Sequence, residues 1–185
     1  MSKGTAVDAS TDPAIHFDRL FDDHDRAVYR YCVRRVGITD AEDATADVFA
    51  VAWRRLDEMP EDASTRAWLY GVAYRVVGNQ YRTRLRNLRL TARLGSVTLG
   101  EPRPPGPEAD QEIEALYRAL KSLSQDDREL IRLSSWDGLT RGEIAMVLGI
   151  KENAVDQRLH RARARLKSRM ARLDTSNPRA EETSK

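Results

Sequence analysis

The sequence predicts an all-α protein: two small helical domains joined by a flexible linker, the second containing a helix-turn-helix. Three observations carry this prediction. Apolar residues recur every three or four positions along most of the chain, and no stretch alternates like a half-buried strand. Gly95–Asp110, GSVTLGEPRPPGPEAD, holds four prolines and three glycines and cannot continue a helix. Between Gly138 and Leu166, a capped helix, a glycine turn and a second helix follow one another at helix-turn-helix spacing.

The elements follow in order. Residues 1–9 read as a disordered N-terminus and 10–93 as the first domain. From Pro13 to about Val36, Ile15, Phe17, Leu20, Phe21, Val28, Tyr31, Cys32 and Val36 form an apolar stripe, with room for a bend at Asp22–Asp25. Gly37 stops this helix. Asp40 is expected to cap the next one, Ala41 to about Leu56, with Val48, Phe49, Ala52, Trp53 and Leu56 inward. Asp57–Ala63, DEMPEDA, is a polar loop broken by Pro60, and Ser64 caps a third helix to about Leu90. Residues 94–110 are the linker, 111–173 the second domain and 174–185 a disordered tail.

In the second domain Ile113, Leu116, Leu120 and Leu123 mark one helix, and Ser124 caps another holding Leu130, Ile131 and Leu133. Thr140 with Glu143 three residues on has the spacing of a capping box. Ile144, Ala145, Val147 and Leu148 supply the apolar side of the next helix, which Gly149 ends. Along the last helix Val155, Leu159, Ala162, Leu166, Met170 and Leu173 form an apolar face. Arg158, Arg161, Arg165, Arg169 and Arg172 fall on an adjacent face, with no acid between the first and last of them. A charged face on an isolated helix is commonly just solvated. Behind a turn of this design it points to phosphate and base-edge contact.

Charge is unevenly spread. The chain has 31 basic and 29 acidic residues, a net charge of +2, so it is no polycation. Yet Asp40, Glu42, Asp43, Asp47, Asp57, Glu58, Glu61 and Asp62 crowd residues 37–63. Residues 64–100 carry Arg66, Arg75, Arg82, Arg84, Arg86, Arg89 and Arg93 and no acid. This predicts an acidic surface for a basic protein face beside a basic, aromatic one for nucleic acid. The single cysteine, Cys32, excludes a disulfide framework and reads as a small core residue. Three histidines and one cysteine offer too few ligands for a zinc site, so no metal or other cofactor is expected. The N-terminal segment lacks a signal-peptide core and no apolar run approaches the ~18 residues a membrane helix needs. A cytosolic protein with no membrane partner is expected.

Taken together, FDRLFDDHDRAVYRYCVRRVG, DAEDATADVFAVAWRRL, STRAWLYGVAYRVVGNQYR, ALKSLSQDDRELIRLSSWDGLTRGEIAMVLGI and QRLHRARARL resemble an extracytoplasmic-function (ECF) sigma factor of the sigma-70 family. The resemblance covers nearly all of the chain outside the linker and tails. It implies that the first domain binds bacterial core RNA polymerase and the melted −10 promoter element. The second domain would bind double-stranded −35 DNA, and an anti-sigma protein is a further implied partner. No small-molecule substrate is implied.

The resemblance assigns polymerase docking to Asp40, Glu42, Asp43, Asp47 and Phe49. Acids at a helix start are also favoured by the helix dipole alone. The −10 candidates are Met59, Glu61 and Asp62 in the loop and Tyr74, Arg75, Asn79, Gln80, Arg82 and Arg84 on the helix. Of the aromatics, Trp53 and Trp68 read as mainly structural, while Tyr74 and Tyr81, interleaved with arginines, suit a surface that stacks on exposed bases. The −35 candidates are Thr140, Arg141, Asn153, Asp156, Gln157, Arg158, His160, Arg161 and Arg165. Arg and Gln pair with guanine and adenine edges; Asn153 either reads a base or caps its helix. Members commonly carry Gly-Thr-Val-Lys-Ser where this chain has Asn153-Ala154-Val155-Asp156-Gln157. The acid at Asp156 weakens a phosphate contact there and suits a cytosine amino group.

Two other readings explain less. A free-standing operator-binding regulator accounts for Leu123–Leu166 but leaves the acidic and arginine-rich helices without a role. An enzyme acting on nucleic acid would need a glycine-rich phosphate loop, a metal cluster or paired catalytic carboxylates, and the sequence offers none.

Overall fold

The computed structural model describes residues 12–60, 62–91 and 111–175, and among them every regular element is helical. The chain divides into two units. The first holds α1 (Pro13–Val36), α2 (Ile38–Arg54), a 3₁₀ turn at Leu56–Glu58 and α3 (Thr65–Thr91). The second holds α4 (Gln111–Lys121), α5 (Gln125–Ser135), α6 (Arg141–Leu148) and α7 (Glu152–Thr175). The predicted N-terminal segment and linker lie outside the described residues. So does the tail past Thr175, although α7 continues two residues beyond the expected boundary at 173.

Asp12 caps α1, its Oδ1 accepting from the Ala14 amide at 2.9 Å, and Pro13 follows at the first helical position. The helix runs unbroken through Asp22–Asp25. Gly37 ends it at φ 85, a conformation that favours glycine, and the chain reverses within that one residue. α2 therefore starts at Ile38, and Asp40 lies inside its first turn rather than capping it. Ala41, Ala44, Val48 and Ala52 of α2 are fully buried with Val28, Tyr31 and Cys32 of α1. Leu69, Val72 and Ala73 of α3 complete the core, and the Tyr31 and Tyr70 rings lie 4.8 Å apart. Burial pushes the Cys32 thiol above its ordinary pKa, as befits a small core residue. Trp53 was expected inward but is 47% exposed. It occupies the last turn of α2, where the Phe17 ring of α1 packs against it edge-on at 5.1 Å.

In the second unit Ala119, Leu120, Leu130, Leu133, Ile144, Val147, Val155 and Ala162 form the core. Ile113, in the first turn of α4, is exposed instead. Arg128 satisfies the open end of α4, donating to the carbonyls of Leu120 (3.1 Å), Lys121 (2.7 Å) and Leu123 (3.2 Å). Ser124 caps α5 by accepting from the Asp127 amide. The capping box at α6 is complete: Glu143 N–H donates to Thr140 Oγ1, and Thr140 N–H donates back to Glu143 Oε2 at 2.7 Å. Gly149 takes the left-handed conformation at φ 64, and the Ile150 amide returns to the Ala145 carbonyl at 3.0 Å, closing the turn.

Truncating the buried Leu133 to Ala is expected to lower the unfolding free energy by about 2–5 kcal/mol. Thr140→Ala, which removes only a cap, should cost about 1 kcal/mol. Denaturant titration of the full chain checks the ratio; equal losses would mean the cap, not the packing, holds the second unit together.

Candidate nucleic-acid interface

The rotation of α7 is set by Val155, Leu159 and Ala162, which are buried against the unit's other helices. At 100° per residue, Asn153, Gln157 and His160 fall opposite that seam, and all three are exposed. α7 begins at Glu152, so Asn153 lies within the first turn and Lys151 holds the cap position; the capping alternative for Asn153 is excluded. Arg158 and Arg165 lie on one flank of this outward strip, and Arg161 lies between strip and flank. The Arg161 Nε donates to the Gln157 carbonyl at 3.2 Å, folding the side chain along its own helix. Arg165 pairs instead with Asp127 of α5 at 2.5 Å. Asp156 lies on the opposite flank, facing α6, and pairs with Arg141 Nε at 2.8 Å. Its carboxylate already has a partner in Arg141, so a cytosine amino group would have to compete with that guanidinium. The hydroxyl of Thr140 is engaged in the capping box.

In the first unit the acidic and basic helices lie side by side, not on separate surfaces. Asp47 Oδ2 accepts from Gln80 Nε2 at 3.1 Å, and Asp40 pairs with Arg84 at 2.6 Å. Glu42 and Asp43 are exposed. Phe49 is only 4% exposed, its ring 4.8 Å from Phe21. It supports α2 from beneath and is not itself a contact surface.

Four residues of α3, Arg75, Asn79, Arg82 and Arg86, share one exposed stripe, spaced four, three and four apart. Arg82 donates to Asn79 Oδ1 at 2.5 Å, and Arg75 donates to the Gly71 carbonyl at 3.3 Å. Half-buried Trp68, read from sequence as structural, heads the same stripe, with the Arg55 guanidinium 5.9 Å from its ring. The seven-residue steps 68–75–82 and 79–86 put Trp68 and Arg86 on one stripe with Arg75, Asn79 and Arg82. Tyr74 and Tyr81 continue the stripe of the buried Tyr70, about 100° around the helix from Arg75 and Arg82. Tyr74 is accordingly half-buried and Tyr81 is 37% exposed.

The loop before α3 also departs from expectation. Met59 is buried, because the one large apolar side chain of DEMPEDA folds inward as its anchor. Glu61 lies outside the described residues. Asp62 accepts from both the hydroxyl (2.5 Å) and the amide (2.8 Å) of Ser64, and these bonds hold its carboxyl below the 3.8 of a free aspartate. A group with a depressed pKa contributes above its unfolded value and loses that contribution as pH falls through the folded one. Titration of the Asp62 carboxyl by NMR should therefore give a midpoint below 3.8, and Ser64→Ala should raise it. A midpoint indifferent to Ser64→Ala would contradict this geometry.

No His, Cys, Asp and Glu cluster suited to a metal ion occurs among the described residues, and none of their helices is long and apolar enough to cross a membrane. Residues 20–87 match the Sigma-70 region 2 family and residues 113–166 the Sigma-70, region 4 family. RNA polymerase sigma factor CnrH of Cupriavidus metallidurans is 34% identical over 137 residues, which cover 69% of this chain and 72% of CnrH. ECF RNA polymerase sigma factor SigL of Mycobacterium tuberculosis is 34% identical over 152 residues, 77% of this chain and 82% of SigL. Among solved structures, CnrH in complex with the cytosolic domain of CnrY aligns at a TM-score of 0.61 and 29% identity, covering 91% of this chain and 94% of that one. Sigma factor RpoE in complex with the anti-sigma factor NepR, from Bartonella quintana, shares the fold at a TM-score of 0.67 and 23% identity, covering 84% and 97%. With both regions matched in order and relatives aligned over most of their length, the chain belongs to the ECF branch of the sigma-70 family of RNA polymerase sigma factors.

Proposed function

We propose that the chain is a promoter-specificity subunit with no chemistry of its own. It binds core RNA polymerase, reads −35 duplex with α7, and opens and holds −10 DNA with α3. The observation that carries this is the exposed strip Asn153–Gln157–His160, set opposite the buried seam of a capped helix-turn-helix. That strip offers amide and imidazole groups to base edges, while Arg158 and Arg161 beside it suit phosphates and guanine. The same reading gives Glu42 and Asp43, with Asp40 and Asp47, to a basic face of the polymerase.

On α3, the stripe of Arg75, Asn79, Arg82 and Arg86 headed by Trp68 suits a single strand, with cations along the backbone and an aromatic ring for a base. Unstacking a base costs a few kcal/mol. Stacking on an aromatic side chain returns about 1–3 kcal/mol. A protein without a fuel opens DNA only by binding the single strand better than the duplex. A regulatory protein partner of the anti-sigma kind belongs to this reading too, supported by the capture of the relative CnrH with the cytosolic domain of CnrY.

Transcription in vitro by core polymerase plus the full chain tests the division of labour. Arg158→Ala and Arg161→Ala should each cost about 1–3 kcal/mol of promoter selection, roughly 5- to 160-fold. Pull-down of core polymerase by either variant should be unchanged. Loss of core binding in both would place polymerase contact, not DNA contact, on α7.

A further inference from the structure

The two flanks of the recognition helix are unlike. On the side of Arg158 and Arg161, cations lie next to the outward strip. On the α6 side Arg141 is 66% exposed yet held by Asp156 at 2.8 Å, and the next cations on that flank of α7, Arg163 and Lys167, lie about two and three turns further along. Two further acids crowd the same corner: Glu143 accepts from Thr140, and the Glu152 carboxylate stands 4.0 Å from where a side chain at Gly142 would begin. A helix start ordinarily attracts phosphate through its free amides and its dipole. At α6 that role is filled from within by Glu143, and Arg141, the first residue of the helix, is paired with an acid.

We propose that Asp156 is a specificity-determining residue that acts through Arg141 and reads no base itself. This rests on the reading of α7 as the −35 helix. Sequence-indifferent binding is driven by cations meeting phosphates. By holding Arg141 in the notch between α6 and α7, Asp156 removes one such contact from binding to any duplex. It leaves the strip Asn153–Gln157–His160 untouched, about 40° or more around the helix. Specificity is a difference between two affinities, and lowering the wrong one widens it. The pair is exposed on both sides, so substitution there leaves the core intact.

The test uses holoenzyme assembled from the full chain and core polymerase. Upstream duplexes are selected from a random pool, and affinity for selected and scrambled duplexes is then measured across salt. Asp156→Asn should tighten scrambled-duplex binding and steepen its salt slope by about 0.9, an extra loss of about 3.5-fold between roughly 50 and 200 mM salt. The selected-to-scrambled ratio should fall, and the gain should vanish when Arg141→Ala is added. Two results overturn the proposal alone: a loss confined to one base pair of the selected duplex, which makes Asp156 a reader, or a gain that persists with Arg141→Ala, which makes it a general charge. Failure of wild-type holoenzyme to select any upstream duplex would instead overturn the −35 reading, and this proposal with it.

Discussion

Burial of Val155, Leu159 and Ala162 fixes how α7 is rotated, and everything the helix presents to solvent follows from that angle. A slip of one residue would turn each side chain by about 100° and replace Asn153, Gln157 and His160 on the outward strip with a different set. The seam holds because α6 is short, capped at both ends and unable to slide: the capping box fixes its start and Gly149 its end. α3 obeys the same rule. Leu69, Tyr70, Val72 and Ala73 face the core, and so Arg75, Asn79, Arg82 and Arg86 must face out.

Electrostatics then works on what packing leaves exposed. Exposed ion pairs contribute only about 0.2–1 kcal/mol each, so Arg141–Asp156, open to solvent on both sides, does little to hold the fold, and Asp40–Arg84 and Asp127–Arg165 each keep an exposed arginine. Their weight lies in occupancy. Arg165 and Arg84 look from sequence like free cations, yet each is committed to an acid on a neighbouring helix. Under the proposed function, a basic partner that docks on Asp40 would compete with Arg84, so the proposed polymerase and −10 surfaces of the first unit share an ion pair. Because such pairs exchange at small cost, they shift affinities by a few-fold and leave the architecture unchanged.

Most of the fold was legible because its signals are local. Helical periodicity, the Thr140–Glu143 box, Ser124 and the glycines at 37 and 149 each act within one or two turns. The errors fall where tertiary context decides. Asp40 looked like a cap because nothing in the sequence says that Gly37 completes the reversal in one residue. Met59 and Phe49 looked available because their burial depends on neighbouring helices. The pairings of Gln80 with Asp47 and Arg165 with Asp127 join residues 33 and 38 positions apart, and follow only from which helices lie side by side. Trp68 carries both signals: it is half-buried, as the usual preference of tryptophan for the core leads one to expect, and its seven-residue spacing to Arg75 and Arg82 puts it on their stripe.

The proposed function stands on one claim, that two DNA-binding surfaces are used together and only with the polymerase. Transcription of a genomic promoter pool by core polymerase, with and without the full chain, followed by mapping of start sites, measures this directly. New start sites should appear only with the chain and share two upstream elements at a fixed spacing. Start sites indifferent to the chain, together with tight sequence-specific duplex binding by the free protein, would contradict it.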